Sequence, residues 1–163
     1  MKIHTLHTKQ NLPISIDEAW DFFSDPKNLK TITPDYMGFH ILSGAGRPMY
    51  PGQLIQYIVT PVAGIKTKWV TEITHVKEKE YFVDEQRYGP YSMWHHQHHF
   101  KTIEGGTEMV DLVHYRVPFG FIGSIANSLL VKSELEKIFS YRYQKIIELF
   151  GKWEGEEMEL KMS

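Results

Sequence analysis

The sequence predicts an α+β fold in which a curved antiparallel sheet wraps one long C-terminal helix, with two short helices after the first strand. Three observations carry this reading. Short segments rich in β-branched and aromatic residues follow one another from about residue 39 to residue 117, divided by turns bearing Gly and Pro. Two capped helical starts come before them. After Pro118 one helical pattern runs uninterrupted to Phe150. An antiparallel sheet needs a cover for its apolar face, and a single long helix laid across it provides one.

Residues 2–10 alternate weakly and are rich in Thr and His, as suits an opening strand. Ser15 followed by Glu18 has the spacing of a capping box, and Ile16, Ala19, Trp20 and Phe23 follow as an apolar stripe at helical spacing. Asp25-Pro26 starts a second short helix, with Asp as the cap and Pro at the first helical position. Strands are then expected over Phe39–Leu42, Gln53–Thr60, Ile65–Val76 and Tyr81–Arg87. Inner-face parity on Gln53–Thr60 stays open, because Ile55, Tyr57 and Val59 compete with Leu54 and Ile58. Met93–Ile103 and Glu108–Val117 flank Glu104-Gly105-Gly106-Thr107, and Gly-Gly marks a tight hairpin. In the closing helix Ile122, Ile125 and Leu129 share one face. Leu135, Phe139, Ile146 and Phe150 share another, and Gly151 is placed to stop the helix. The expected organisation is one domain over 1–151 and a frayed acidic tail over 152–163.

Composition narrows the function. A hydrophobic share of 42% with 23% charged residues is that of a globular chain. The net charge of −2, with Lys and Arg scattered, lacks the basic footprint of a nucleic-acid binder. No cysteine is present, so thiolate metal sites, disulfides and cysteine nucleophiles are excluded. No apolar run is long enough to span a bilayer and the N-terminus has no signal-like core, so a cytoplasmic location is expected.

Four phrases then resemble one family. They are ISIDEAWDFFSDPKNLKTITP, the W-x-H-x-H-x-F pattern at Trp94, His96, His98 and Phe100, the D-x-V-x-Y-x-V-P-F-G run from Asp111 to Gly120, and the final ELEKIFSYRYQKIIELF. Together they resemble the START-related SRPBCC superfamily, the helix-grip fold of the birch-pollen-allergen type. Within it they are similar to a bacterial subgroup called cell-division-inhibitor-like or polyketide-cyclase-like. The resemblance spans Ile3 to Phe150. It implies a deep cavity between sheet and long helix for a hydrophobic or amphipathic small molecule.

The segment SMWHHQHHF holds the candidate site. Alternation on a strand puts Trp94, His96, His98 and Phe100 on one face and His95, Gln97 and His99 on the other. The four histidines are thus two pairs on opposite faces. If Glu104 sits opposite Thr107, Phe100 faces Asp111, His98 faces Val113, His96 faces Tyr115 and Trp94 faces Val117. Asp111 and Tyr115 are the expected partners for the two inward histidines, since buried polar groups need bonds. The ligand wall expected is Trp94, His96, His98, Phe100, Asp111 and Tyr115, with Trp69 nearby and Ile125 and Leu129 above.

A metal at His96 and His98, with Asp111 or Tyr115 adding an oxygen, is weighed and set aside, because no H-E-x-x-H or similar spacing is present and a His pair alone is a weak signal; no cofactor is expected either. One alternative is a cyclase or dehydratase with His96 or His98 as general base, Tyr115 as donor and Asp111 completing the set. Another is a protein-interaction module of co-chaperone type, which needs an exposed apolar patch. Ligand identity and oligomeric state are not encoded in any pattern here.

Overall fold

A computed structural model describes residues 2–60, 65–118 and 124–163, with the backbone alone over 124–128. Strand β1 (His4–Leu12) leads into helix α1 (Ile16–Phe23), and the chain then makes 3-10 turns at Pro26–Lys30 and Asp35–Met37. Strands β2 (His40–Ser43), β3 (Gln53–Val59), β4 (Thr67–Lys77), β5 (Tyr81–Tyr88), β6 (Met93–Ile103) and β7 (Gly106–Arg116) follow. Helix α2 (Ser124–Phe150) and strand β8 (Glu159–Met162) end the chain. The strands form one antiparallel sheet in the order β2-β3-β4-β5-β6-β7-β1-β8. This is the helix-grip arrangement.

The caps sit where the sequence places them. The Ser15 hydroxyl accepts from the Glu18 amide at 3.2 Å, and the Asp25 carboxylate accepts from Lys27 N at 3.0 Å. The second expected helix is only a five-residue 3-10 turn. The Asn28 side chain donates to Phe22 O at 2.9 Å, which ties the turn back against α1. On β3 the open parity resolves to Ile55, Tyr57 and Val59 inside, while Leu54 is exposed. At the far end of α2, Gly151 takes φ +95° and its amide donates to Ile147 O, a helix stop that a side chain would strain.

Two expectations are corrected, and a third falls partly outside the described residues. First, the β6–β7 hairpin turns on Glu104-Gly105 alone, with Gly105 at φ +81° and Ile103 opposite Gly106. His98 therefore faces Asp111, His96 faces Val113 and Trp94 faces Tyr115. The slip is two residues, so every side chain keeps its face and only the partners change. Second, the C-terminal tail is not frayed: Glu159–Met162 pairs with β1 as the sheet's last strand, and Ser163 exchanges backbone bonds with Thr5. Third, the start of the closing helix, expected from Phe119, lies partly outside the described residues.

Two apolar clusters share the inner face. One surrounds the middle of α2, where Leu135 and Phe139 meet Leu6, Val113 and Tyr115. The other lies under α1, where Trp20 packs edge-on against Phe82 and Phe100 and joins Ile146. Burying each such side chain stabilises the fold by about 1.5–3 kcal/mol. Polar residues occupy the space between the clusters.

Candidate functional site

Strands β5 and β6 set the site's spacing. Phe82 faces His98 and Asp84 faces His96 across the ladder, so two rings and one acid are brought together by pairing alone. A bulge at Thr74 in β4, between the Ile73–Asp84 and His75–Val83 pairs, bends the strand beside Asp84. From the other flank β7 brings Asp111, buried and opposite His98. Its carboxylate accepts from the Thr8 hydroxyl on β1 at 3.3 Å.

The four ionisable groups form a closed ring of contacts. Asp111 Oδ1 lies 2.9 Å from His96 Nε2 and 2.9 Å from His98 Nδ1. Asp84 Oδ2 lies 2.8 Å from His98 Nε2 and 3.4 Å from His96 Nδ1. The imidazoles themselves are 3.7 Å apart between centroids. Burial works against the charge on His98, but its bonds to Asp111 and Asp84 outweigh this and raise its pKa above the ordinary 6.5. Burial and the neighbouring His98 lower that of His96. Burial would likewise push both carboxyls up, yet the histidines hold Asp84 below its ordinary range and Asp111 well below. The result is two carboxylates, one ring that favours the proton and one that does not.

This cluster forms part of the wall of a cavity of about 150 Å³ between the sheet and α2. Trp69, Trp94, Tyr91 and Tyr57 line it, with Leu135, Phe139 and Arg142 from α2. The Tyr57 hydroxyl bonds Thr71 at 2.8 Å, and Gln86 clamps Tyr91 by bonding both its amide and its carbonyl. Two buried donors on the wall have no partner: Trp69 Nε1 and Arg142 Nε. The Arg142 guanidinium lies 4.8 Å from the Phe139 ring and makes no ion pair among the described residues. What the arrangement can do chemically is hold a ring among rings, offer it two donors, and present a histidine–carboxylate set on one wall.

Of the expected wall, Trp69, Trp94, His96 and His98 line the cavity, and Asp111 stands directly behind the histidines. Phe100, Tyr115 and Leu129 lie elsewhere. Phe100 is four residues from His96, about 13 Å along the strand, and packs under α1 in the second cluster. Tyr115 faces Trp94 and stacks on His4 at 5.4 Å, so neither inward histidine meets its hydroxyl. Leu129 is 63% exposed, because six residues before Leu135 puts it about 120° round the helix from the inward stripe. The side chain of Ile125 lies outside the described residues.

Comparison with known proteins now fits onto this geometry. A family model described as polyketide cyclase / dehydrase and lipid transport matches residues 12–133. The chain belongs to this family. Its fold is similar to that of Zhui aromatase/cyclase from Streptomyces sp. R1128, with a TM-score of 0.71 at 12% identity over 91% of this chain and 93% of that one. Protein Ms6760 from Mycobacterium smegmatis is similar at TM-score 0.64 and 19% identity, over 89% of each chain. Ara h 8.0201 is similar at TM-score 0.58 and 13% identity, over 90% of this chain and 99% of that one. These likenesses show the helix-grip fold, and the family match is what places the polyketide-cyclase-type chain in the SRPBCC superfamily. No curated protein matches it.

Asp84 and Arg142 are among the site residues of this family member that escaped the sequence reading. Asp84 shares a strand face with Phe82, so an acid on a ring-bearing face was the available signal. Arg142 sits three residues after Phe139 and seven after Leu135, a cation on the apolar stripe of α2.

Proposed function

We propose that this chain binds a compact, ring-bearing amphipathic molecule in the cavity, with an acceptor or anionic group turned toward Trp69 Nε1 and Arg142. One observation carries the reading: two buried donors without partners stand on a largely apolar wall rich in aromatic rings. An unmet buried donor costs about 1–3 kcal/mol, which an acceptor on a bound molecule recovers. The aromatic walls favour flat rings by stacking and edge contacts. At about 150 Å³ the cavity takes a small ring system, below the roughly 300–1,000 Å³ of pockets for larger ligands.

The test has two stages. Native mass spectrometry of freshly purified protein, set against the denatured mass, is expected to reveal an organic adduct. Titration with 1-naphthoate, followed by tryptophan fluorescence, is expected to saturate at one site. Trp69→Phe, which keeps the ring and removes the donor, is expected to weaken 1-naphthoate by about tenfold and leave 1-methylnaphthalene unaffected. No adduct together with no saturable probe overturns the proposal.

A second reading is catalysis of cyclase or dehydratase type, for which the family description is the prior and one observation speaks. His96 lines the cavity, favours its neutral form and sits beside a ring that favours the proton, which is an acid–base pair at one wall. Turnover of a polyketide-like substrate lost by orders of magnitude in His96→Ala, with binding kept, would support it.

A further inference from the structure

With both histidine rings neutral, three lone pairs converge on one wall of the cavity. Asp111 Oδ1 is 2.9 Å from both His96 Nε2 and His98 Nδ1. A carboxylate only accepts, so each of those nitrogens carries a hydrogen. The bare nitrogens of the two neutral rings are then His96 Nδ1 and His98 Nε2. Both face Asp84 Oδ2, at 3.4 and 2.8 Å, and that oxygen is an acceptor too. Ligand atoms of Asp84, His96 and His98 all lie within 4.8 Å of one another.

Such a trio needs a cation among it. One proton satisfies one edge, the short contact between His98 and Asp84. Two protons would place two imidazoliums side by side, 3.7 Å apart in a buried site. A single divalent ion satisfies all three lone pairs at once. We propose that Asp84, His96 and His98 bind a divalent transition-metal ion, with Asp111 as the carboxylate behind both histidines.

The donor set argues for the class of ion. Two imidazoles and one carboxylate suit zinc, iron, cobalt or nickel and are poor for magnesium or calcium, which take oxygen ligands. A carboxylate bonded to the far nitrogen of a ligating histidine is the usual outer support, since it fixes the tautomer and makes the ring a better donor. Here one oxygen does this for both rings. All three ligating residues line the cavity while Asp111 does not, so the remaining coordination positions open toward the cavity. Arg142 stays beyond ion-pair distance of Asp84 and leaves that carboxylate to the metal.

From the sequence the metal is set aside for want of a ligand spacing, with Asp111 or Tyr115 as the candidates for an oxygen ligand. Strand pairing instead brings Asp84 as the third ligand and puts Asp111 behind the histidines as outer support. The metal takes the lone pair that the catalytic reading gives to His96, so a metal-filled site excludes His96 as a general base. The proposal does not rest on the cavity's ligand, and its test needs none.

The experiment is isothermal titration of chelator-treated protein with zinc chloride, joined to the absorption spectrum of the cobalt(II) form. One saturating zinc per chain is expected, with visible cobalt bands of a low-coordinate nitrogen and oxygen site. Asp84→Asn is expected to weaken zinc by about 100-fold, and Asp111→Asn, which keeps all three ligands, by about 10–100-fold. A His95→Ala/His114→Ala control removes the histidine pair on the outer face, whose rings are 6.2 Å apart, and is expected to change nothing. No saturating zinc in folded protein overturns the proposal. So does loss of zinc in the outer-face control with retention in Asp84→Asn. Should Asp84→Asn fail to fold, Asp111→Asn and the wild-type cobalt spectrum decide, and an octahedral aqua-type spectrum is the negative result.

Discussion

His96 and His98 are the same residue type two positions apart on one strand, yet the fold treats them differently. Each touches both carboxylates, but His98 does so at 2.8 and 2.9 Å while His96 is 3.4 Å from Asp84. In metal-stripped protein His98 is therefore expected to titrate above the ordinary 6.5 and His96 below it, as read from ring nitrogen shifts by NMR. The stability consequences have opposite signs. A raised pKa means that the folded state holds the proton more tightly, so the His98 contribution is full below 6.5 and fades as pH rises through its folded value. The His96 contribution is full above 6.5 and fades as pH falls through its lowered value. Asp111 adds stability above its ordinary 3.8 that is lost on further acidification. Denaturant unfolding followed downward from about pH 4 is expected to show a falling limb in the wild type and a flatter one in Asp111→Asn. Equal limbs in the two proteins would remove Asp111 from the account.

At the scale of elements, two close approaches decide the hairpin and the edge of the sheet. A Cβ on Gly106 would stand 2.0 Å from Leu12 O and 2.9 Å from the Trp153 ring, so β1 and the C-terminal segment close over a position that only glycine can fill. Gly46, with nothing within 4 Å of its would-be Cβ, is the matching open position. Gly106→Ala is expected to cost more than about 2 kcal/mol in chemical denaturation, and Gly46→Ala to stay within about 0.5 kcal/mol. Ending the chain at Lys152 would remove both the Trp153 ring and β8, leaving β1 as an unpaired edge. That variant is expected to unfold at lower denaturant and to scatter light on concentration, as bare edges invite pairing between molecules. These elements also show what the sequence made legible. Alternation sorted the inward from the outward histidines correctly, because face depends only on parity. It could not register the strands, because register depends on the turn, and Glu104-Gly105 and Gly105-Gly106 are both plausible corners. Asp84 was hidden for that reason: it lies twelve residues before His96, joined only by pairing. In the tail, the alternation of Met158, Leu160 and Met162 was present but masked by the acidic residues around it.

For the whole molecule, the question is why a domain of this size keeps two acids and two histidines between its apolar clusters. Among the described residues no helix is long and apolar enough to cross a membrane. Stability does not ask for the polar network. Removing one partner from a buried ion pair typically costs about 3–5 kcal/mol, whereas replacing the whole group by apolar residues is often neutral or favourable. The two cases separate a structural network from one kept for function. Asp111→Ala alone is expected to destabilise by about 3–5 kcal/mol, since two histidines and the Thr8 hydroxyl lose their acceptor. A variant carrying Asp84→Val, His96→Leu, His98→Leu, Asp111→Val and Thr8→Val replaces the network together. It is expected to regain most of that loss in urea unfolding while binding neither zinc nor 1-naphthoate at wild-type strength. Recovery of stability without recovery of binding would mean that the cluster is held in place for the cavity's occupant, in keeping with the strain and polarity that binding sites retain at some cost to the fold. If the five-fold variant is as unstable as Asp111→Ala or worse, the network is itself a structural element of the grip. The binding roles given to His96 and His98 would then lose their main support.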